Sequence, residues 1–231
     1  MSPAKKKDKK EEPKAEPEVT TDEESSEYEA VPIMLDLGSI KDDKKIRVTG
    51  VYGDINEERC SEALYSMHVL KESAIEKTTV LSDDGKEEVD TYIIHPIEFI
   101  VSTHGGSATE MFALYDSMRS IREECPIHTF GLGKVMSAGV LLLAAGNRGE
   151  RRIGANCRVM IHGVVSGQQG YLADIENEFE EAKFTQELYV KALAAETDMT
   201  VKYIKNLLKR KTNVYLSAKD AVELGIADII V

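Results

Sequence analysis

Gly131-Leu-Gly-Lys-Val-Met-Ser137-Ala-Gly139 leads into an apolar run at 140–145, and Val159-Met-Ile-His162 follows soon after. The first stretch ends a strand-like segment on small residues and opens a hydrophobic helix at Ser137. The second is a short β-prone run that delivers one histidine. Strand, tight turn, helix and strand in this order are the unit of an α/β domain. The same stretch pairs a serine with a base, and a serine needs one to act as a nucleophile.

Working outward, the pattern continues. Ile46-Arg-Val-Thr-Gly-Val-Tyr52 reads as a strand ending at the turn Gly53-Asp54. Residues 56–72 read as a helix capped by Asn56, with Ala63, Met67 and Leu70 at helical spacing. Residues 77–95 are a polar excursion, with β-prone pieces on either side of Asp83-Asp-Gly85, and predict a hairpin. Ile97-Glu-Phe-Ile-Val101 is a buried strand. A helix over 107–123 carries Met111, Leu114, Met118 and Ile121 on one face. Ile127-His-Thr-Phe130 and 157–161 are further strands. A long helix over 172–196 has the inner stripe Leu172, Ile175, Phe179, Ala182, Tyr189 and Leu193. A shorter helix spans 200–209. Another spans 217–224 and stops at Gly225, before a closing strand over 226–231. Alternating strands and helices predict an α/β fold with parallel pairing.

The first 31 residues differ. Residues 5–10 are basic, 11–29 are acidic with Pro13 and Pro17, and apolar residues are almost absent. Such a segment buries too little surface to offset its ordering entropy and is expected to be a disordered tail. The folded domain is then 32–231. With 231 residues, 42% of them hydrophobic, the chain has enough for one substantial core. A net charge of -12 without a long basic stripe argues against a nucleic-acid partner. Cys60, Cys125 and Cys157 are odd in number and far apart, which fits free thiols in a reducing compartment. No apolar run is long enough for a bilayer, and no signal-peptide core follows the N-terminus. The expectation is a cytoplasmic protein with no membrane association. The histidines show no metal-ligand spacing, and neither metal nor cofactor is expected.

Three places can carry chemistry. Ser102-Thr-His-Gly-Gly-Ser-Ala-Thr109 follows a strand and precedes a helix. Its paired glycines allow close backbone approach and N–H groups aimed at developing negative charge, though many strand–helix turns carry such a pair for steric reasons alone. Ser137 has the small neighbours that an exposed nucleophile needs, and equally suits a helix N-cap. Its spacing is not that of the Gly-x-Ser-x-Gly elbow. His162 closes a strand before Gly163 and the stretch Ser166-Gly-Gln-Gln-Gly170. Together these are the parts of an acyl-transfer site: oxyanion donors, nucleophile and base.

From about Ile46 to Ile230 the sequence resembles the ClpP peptidase family, the serine-protease component of ATP-dependent proteolytic machines. The resemblance is carried by Thr103-His-Gly-Gly106, where the family has Ser-Pro-Gly-Gly, and by the helix Met111-Phe-Ala-Leu-Tyr-Asp-Ser-Met118. It continues through 131–146, Gly149-Glu-Arg-Arg152 and Asn156-Cys-Arg-Val-Met-Ile-His162. It ends with 167–196 and Leu216-Ser-Ala-Lys-Asp-Ala-Val-Glu-Leu-Gly-Ile-Ala-Asp228. It implies a ClpP/crotonase-like repeated β-β-α superhelix with a protruding handle at 163–196, made of a strand and a long helix. It also implies Ser137 as nucleophile, His162 as general base, and the N–H groups of Gly106 and Ala138 as the oxyanion hole. Gly105, Gly163, Val164 and Val165 would hold substrate as an added strand.

One position departs from the family. Where it places aspartate, four residues before Ser217, this chain has Asn213. Asn213 can orient the histidine but supplies no charge. In chymotrypsin-type sites the Asp-to-Asn change costs about ten-thousand-fold in turnover. The expectation is a competent but slower serine endopeptidase. The family further implies a homo-oligomer of two stacked heptameric rings, an AAA+ unfoldase of the ClpX or ClpA type, and unfolded polypeptide substrates. The region 74–95 is longer than the usual family connection and is expected to alter unfoldase docking. Three readings compete: a head-maturation protease of the kind found in tailed phages, a catalytically weakened assembly subunit, and a crotonase-type acyl-CoA enzyme. The last has no need of a Ser137/His162 pair.

Overall fold

A computed structural model describes residues 46–81, 88–210 and 212–231. The charged tail 1–31 and the turn Asp83-Asp-Gly85 lie outside the described residues. Nine strands and six helices are described: β1 (Val48–Ile55), α1 (Glu57–Glu72), β2 (Ile75–Leu81), β3 (Glu88–Ile94), β4 (Ile97–Gly106), α2 (Ala108–Ile121), β5 (Ile127–Met136) and α3 (Ala138–Ala144). Then come β6 (Arg152–Ile153), β7 (Arg158–Ile161), α4 (Leu172–Glu196), α5 (Val201–Lys209), β8 (Val214–Leu216), α6 (Ala218–Glu223) and β9 (Ile229–Ile230).

The main sheet runs β1-β4-β5-β6-β9, all parallel, with β7 also parallel to β5 and β8 antiparallel to β7. Buried and half-buried residues alternate along the first halves of its central strands, so Ile97, Phe99, Val101 and Ile127 lie on the packed face and Glu98, Ile100 and His128 on the more open one. The α3 segment is hydrophobic all round because it is buried all round, packed on β4 and β5. The α/β class with mostly parallel pairing is as the sequence predicts. Asn56 caps α1, accepting from the Arg59 N–H at 3.0 Å. β2 and β3 pair antiparallel, as the two arms of the expected hairpin should, with Ile75 opposite Ile94.

Several boundaries differ from the sequence reading. β1 does not stop at Gly53-Asp54; it absorbs them as an irregularity in register against β4 and continues to Ile55. β4 carries the Gly-Gly pair inside the strand rather than in a loop. β5 likewise runs on to Met136, with Val101 opposite Gly131 but Thr103 opposite Val135, so β5 has two extra residues there and bulges from its ladder with β4. The closing strand shrinks to two residues. The short strands β6 and β8 carry too few residues for a periodic signal. The expected handle strand does not form at 163–170, since no described strand lies alongside to complete a ladder.

The stripe on α4 divides. Tyr189, Val190 and Leu193 are buried, but Leu172 (72% exposed) and Phe179 (61%) face solvent. Helical spacing marks an apolar face without saying whether the chain itself covers it.

Two buried ionic clusters fix the helix ends around the sheet. Glu196, closing α4, accepts two bonds from Arg122 (2.9 and 3.0 Å) and one from the Tyr115 hydroxyl (3.0 Å). Arg151 is 1% exposed and donates to both carboxylate oxygens of Asp228, and also to the carbonyls of Glu196 (2.7 Å) and Ala144 (3.3 Å). It therefore ties the ends of α3 and α4 to the loop before β9.

Candidate active site

The C-terminal ends of β4, β5 and β7 converge on one cleft of about 220 Å³. Gly106, Ser137, Ala138, His162, Gly163, Val164 and Val165 line it, joined by Met111 of α2 and by Thr185 and Tyr189 of α4. The mouth of a parallel sheet is where α/β proteins place ligands, because successive loops meet there.

Ser137 occupies the N-cap position of α3, yet its side chain caps nothing. Its backbone has φ 55 and ψ −120, and it is the sole non-glycine with positive φ among the described residues. Such strain has a cost and persists only where the surroundings enforce it. Here the Ser137 N–H donates to the Met160 carbonyl of β7 (2.8 Å). The Ser137 carbonyl accepts from the Val140 N–H (3.0 Å) and the Tyr189 hydroxyl (3.3 Å). The side chain makes no capping bond to the helix, and Ser137 lines the cleft. Burial pushes the Tyr189 hydroxyl up, so it stays protonated as a donor. As the first helical residue, Ala138 has an N–H with no intrahelical partner.

Gly105 and Gly106 are required by close approach. A side chain on Gly106 would strike the Ile55 carbonyl oxygen at 2.2 Å. One on Gly105 would come within 2.5 Å of Ser137 Cβ. Thr103, fully buried, holds this turn by accepting the Gly105 N–H at 2.9 Å.

His162 is partly buried at the end of β7. Its Nδ1 lies 2.6 Å from the Gly163 carbonyl oxygen. A carbonyl can only accept, so Nδ1 carries the proton and Nε2 is left as the basic nitrogen. β7 and β8 pair with Ile161 opposite Val214, and one further step of that register sets Asn213 across from His162. Asn213 is exposed and lines a second cleft of about 740 Å³ that shares His162, Gly163, Val164 and Val165 with the first. Among the described residues the Asn213 amide makes no hydrogen bond to the ring. Gly106, Ala138, Gly163, Val164 and Val165 all line the first cleft, and Gly105 sits just beneath Ser137.

No cysteine competes for the nucleophile's place. All three are free and buried, and burial pushes the Cys60 and Cys157 thiols up to about 11. No cluster of metal-ligating side chains occurs among the described residues, and none of their helices is long and apolar enough to cross a membrane.

The family model described as Clp protease matches residues 88–231. The chain belongs to the Clp protease family. Its mixed α/β architecture with a mostly parallel sheet is that of the family, and at the coarse level the chain is a ClpP-like peptidase. The match begins within the hairpin, at β3, and takes in every element that lines the cleft. Besides Thr185, sequence reading missed two residues of α4 that this Clp protease family member brings to the site, Tyr189 and Gln186. The signal was present: with Leu193 they recur at i, i+3 and i+7 on α4, the spacing of one helix face.

Proposed function

We propose that this protein is a serine endopeptidase subunit of a self-compartmentalised, ATP-dependent protease that cleaves unfolded polypeptides. Ser137 Oγ attacks the scissile carbonyl while its proton passes to His162 Nε2. The N–H groups of Gly106 and Ala138 receive the oxyanion, and the imidazolium returns its proton to the leaving amine. Gly105, Gly163, Val164 and Val165 hold the substrate backbone as an added strand, so many side chains are tolerated. The observation that carries the reading is Ser137 itself: a strained serine at a helix start, capping nothing, in one cleft with a histidine whose Nδ1–H is already committed.

Asn213 stands in for the family's aspartate and supplies no charge to the imidazolium, which predicts a slower site. Its lack of a bond to His162 also favours a second reading, a weakened assembly subunit. The two readings part on reaction with a fluorophosphonate probe. Labelling of Ser137 that vanishes in His162→Ala supports the peptidase; an unlabelled, assembled protein supports the subunit.

Assembly as two stacked heptameric rings follows from the family and is supported by the uncovered apolar front of α4. The partner would be an AAA+ unfoldase of the ClpX or ClpA type, in the cytoplasm, where the three buried thiols stay reduced. The 75–94 hairpin would alter that docking. Pull-down of unfoldases with and without residues 77–92 tests this, and unchanged binding would remove the idea.

A further inference from the structure

His162 needs something to hold its ring and stabilise it once protonated, and Asn213 makes no bond to it. The structure offers another acceptor. Nδ1 donates to the Gly163 carbonyl at 2.6 Å. The N–H of that same peptide unit, on Val164, donates to Gln186 Oε1 of α4 at 3.3 Å. The peptide is therefore bonded at both ends, and each bond polarises the other. Gln186 is held close: a side chain on Gly163 would come within 2.8 Å of its Oε1. Gln186 also lies one turn before Tyr189, whose hydroxyl reaches the Ser137 carbonyl, so one helix face bonds both Ser137 and the peptide that His162 bonds.

We propose that Gln186 is the positioning residue of this site. Through the Gly163–Val164 peptide it holds His162 in the Nδ1–H tautomer and supports the imidazolium, the work a carboxylate does elsewhere. This rests on the reading of Ser137 and His162 as nucleophile and base. The relay is weaker than a carboxylate because it ends on a neutral amide. Other groups face the ring from the packed elements: Glu187 on α4, Lys205 and Lys209 on α5, and Tyr189. Glu187 and Lys205 are paired at 2.7 Å. None of them bonds to Nδ1.

The test compares wild type with Gln186→Leu, Gln186→Glu and Gly163→Ala. Glu62→Gln, on the exposed face of α1, serves as a control. Gln186→Leu keeps the bulk and loses the acceptor. It should lower kcat about tenfold on short peptides with KM unchanged, and move the acid limb of the pH profile to lower pH. Gln186→Glu should move that limb to higher pH. Gly163→Ala, which displaces the amide, should resemble Gln186→Leu. Independently of activity, ¹⁵N spectra of histidine-labelled protein should show His162 as the Nδ1–H tautomer in wild type and a mixture in Gln186→Leu. An unchanged tautomer, or coincident pH profiles for the two Gln186 variants, overturns the relay. Failure of wild-type Ser137 to react with a fluorophosphonate overturns the peptidase reading instead, and the tautomer measurement still decides the role of Gln186.

Discussion

Substituting Gly105 with alanine probes how the nucleophile is built. The new Cβ would lie 2.5 Å from Ser137 Cβ, 3.0 Å from its Oγ and 3.1 Å from the Met136 carbonyl oxygen. Carbon atoms in favourable contact sit about 3.5–4.0 Å apart, so the overlap is about 1 Å. Neither neighbour can easily yield. Ser137 Cβ is fixed by a backbone pinned at both its N–H and its carbonyl, and the other contact is main chain. Gly105 has φ +105, where any side chain adds strain of about 1–3 kcal/mol. A displacement of about 1 Å at a reacting atom costs on the order of a hundredfold in rate. For a domain of this size the strain alone lowers Tm by roughly 2–12 °C. Gly105→Ala should therefore lose about a hundredfold in kcat/KM on a fluorogenic peptide and in the rate of fluorophosphonate labelling, with a moderate fall in Tm by calorimetry. Gly167→Ala, where an added Cβ meets nothing within 4 Å, should change neither. Activity of Gly105→Ala within twofold of wild type, at an unmoved Tm, would refute the packing of the glycine turn against the serine.

Three further outcomes follow from the same geometry. Asp228→Asn leaves Arg151 buried and charged without its carboxylate, and should cost about 3–5 kcal/mol in chemical denaturation. Burial alone would raise the Asp228 pKa, but the bonds from Arg151 and Gly149 outweigh it and hold it below the ordinary value. A depressed pKa contributes stability above the unfolded pKa near 4 and loses it as pH falls through the folded value, so the gap between wild type and Asp228→Asn should begin to narrow near pH 4 and close only below the folded pKa. Tyr189→Phe removes one neutral hydrogen bond to Ser137, worth about 1 kcal/mol, and should slow labelling of Ser137 about fivefold with little change in Tm. Asn213→Asp should raise or hold kcat/KM, since a carboxylate across from His162 favours the imidazolium; a fall by orders of magnitude would mean that the site is built around the amide.

Much of the fold can be read in the chain because its elements announce themselves by period. Met111, Leu114, Met118 and Ile121 recur at helical spacing and are all buried. The hairpin at 75–94 follows from β-prone runs on either side of a turn. What escapes is decided by neighbours far away in sequence. Gly105 and Gly106 look like a loop, but continue as strand because β1 approaches closely enough to pair with them. Ser137 reads equally as cap or nucleophile, and only its φ of 55 and its idle side chain separate the two. Asn213 is placed opposite His162 by the β7–β8 register, which no local pattern encodes. Gln186 shares a helix face with Tyr189 and Leu193, but its contact with Val164 depends on where α4 lies against the chain leaving β7.

α4, at about 37 Å, is the longest helix described, and its two ends live under different conditions. From Tyr189 to Glu196 its backbone opens only when the core does, being held by buried apolar contacts and by the Arg122–Glu196 pair. Over 172–188 most residues are exposed or half-buried, and little tertiary contact protects the amides. In an unassembled protomer, amide exchange along this one helix should therefore step from slow, global protection to fast, local opening near Gln186. The helix is a single element by hydrogen bonding and two by free energy, and its boundary falls within a turn of the residues that bond Ser137 and the chain just after His162.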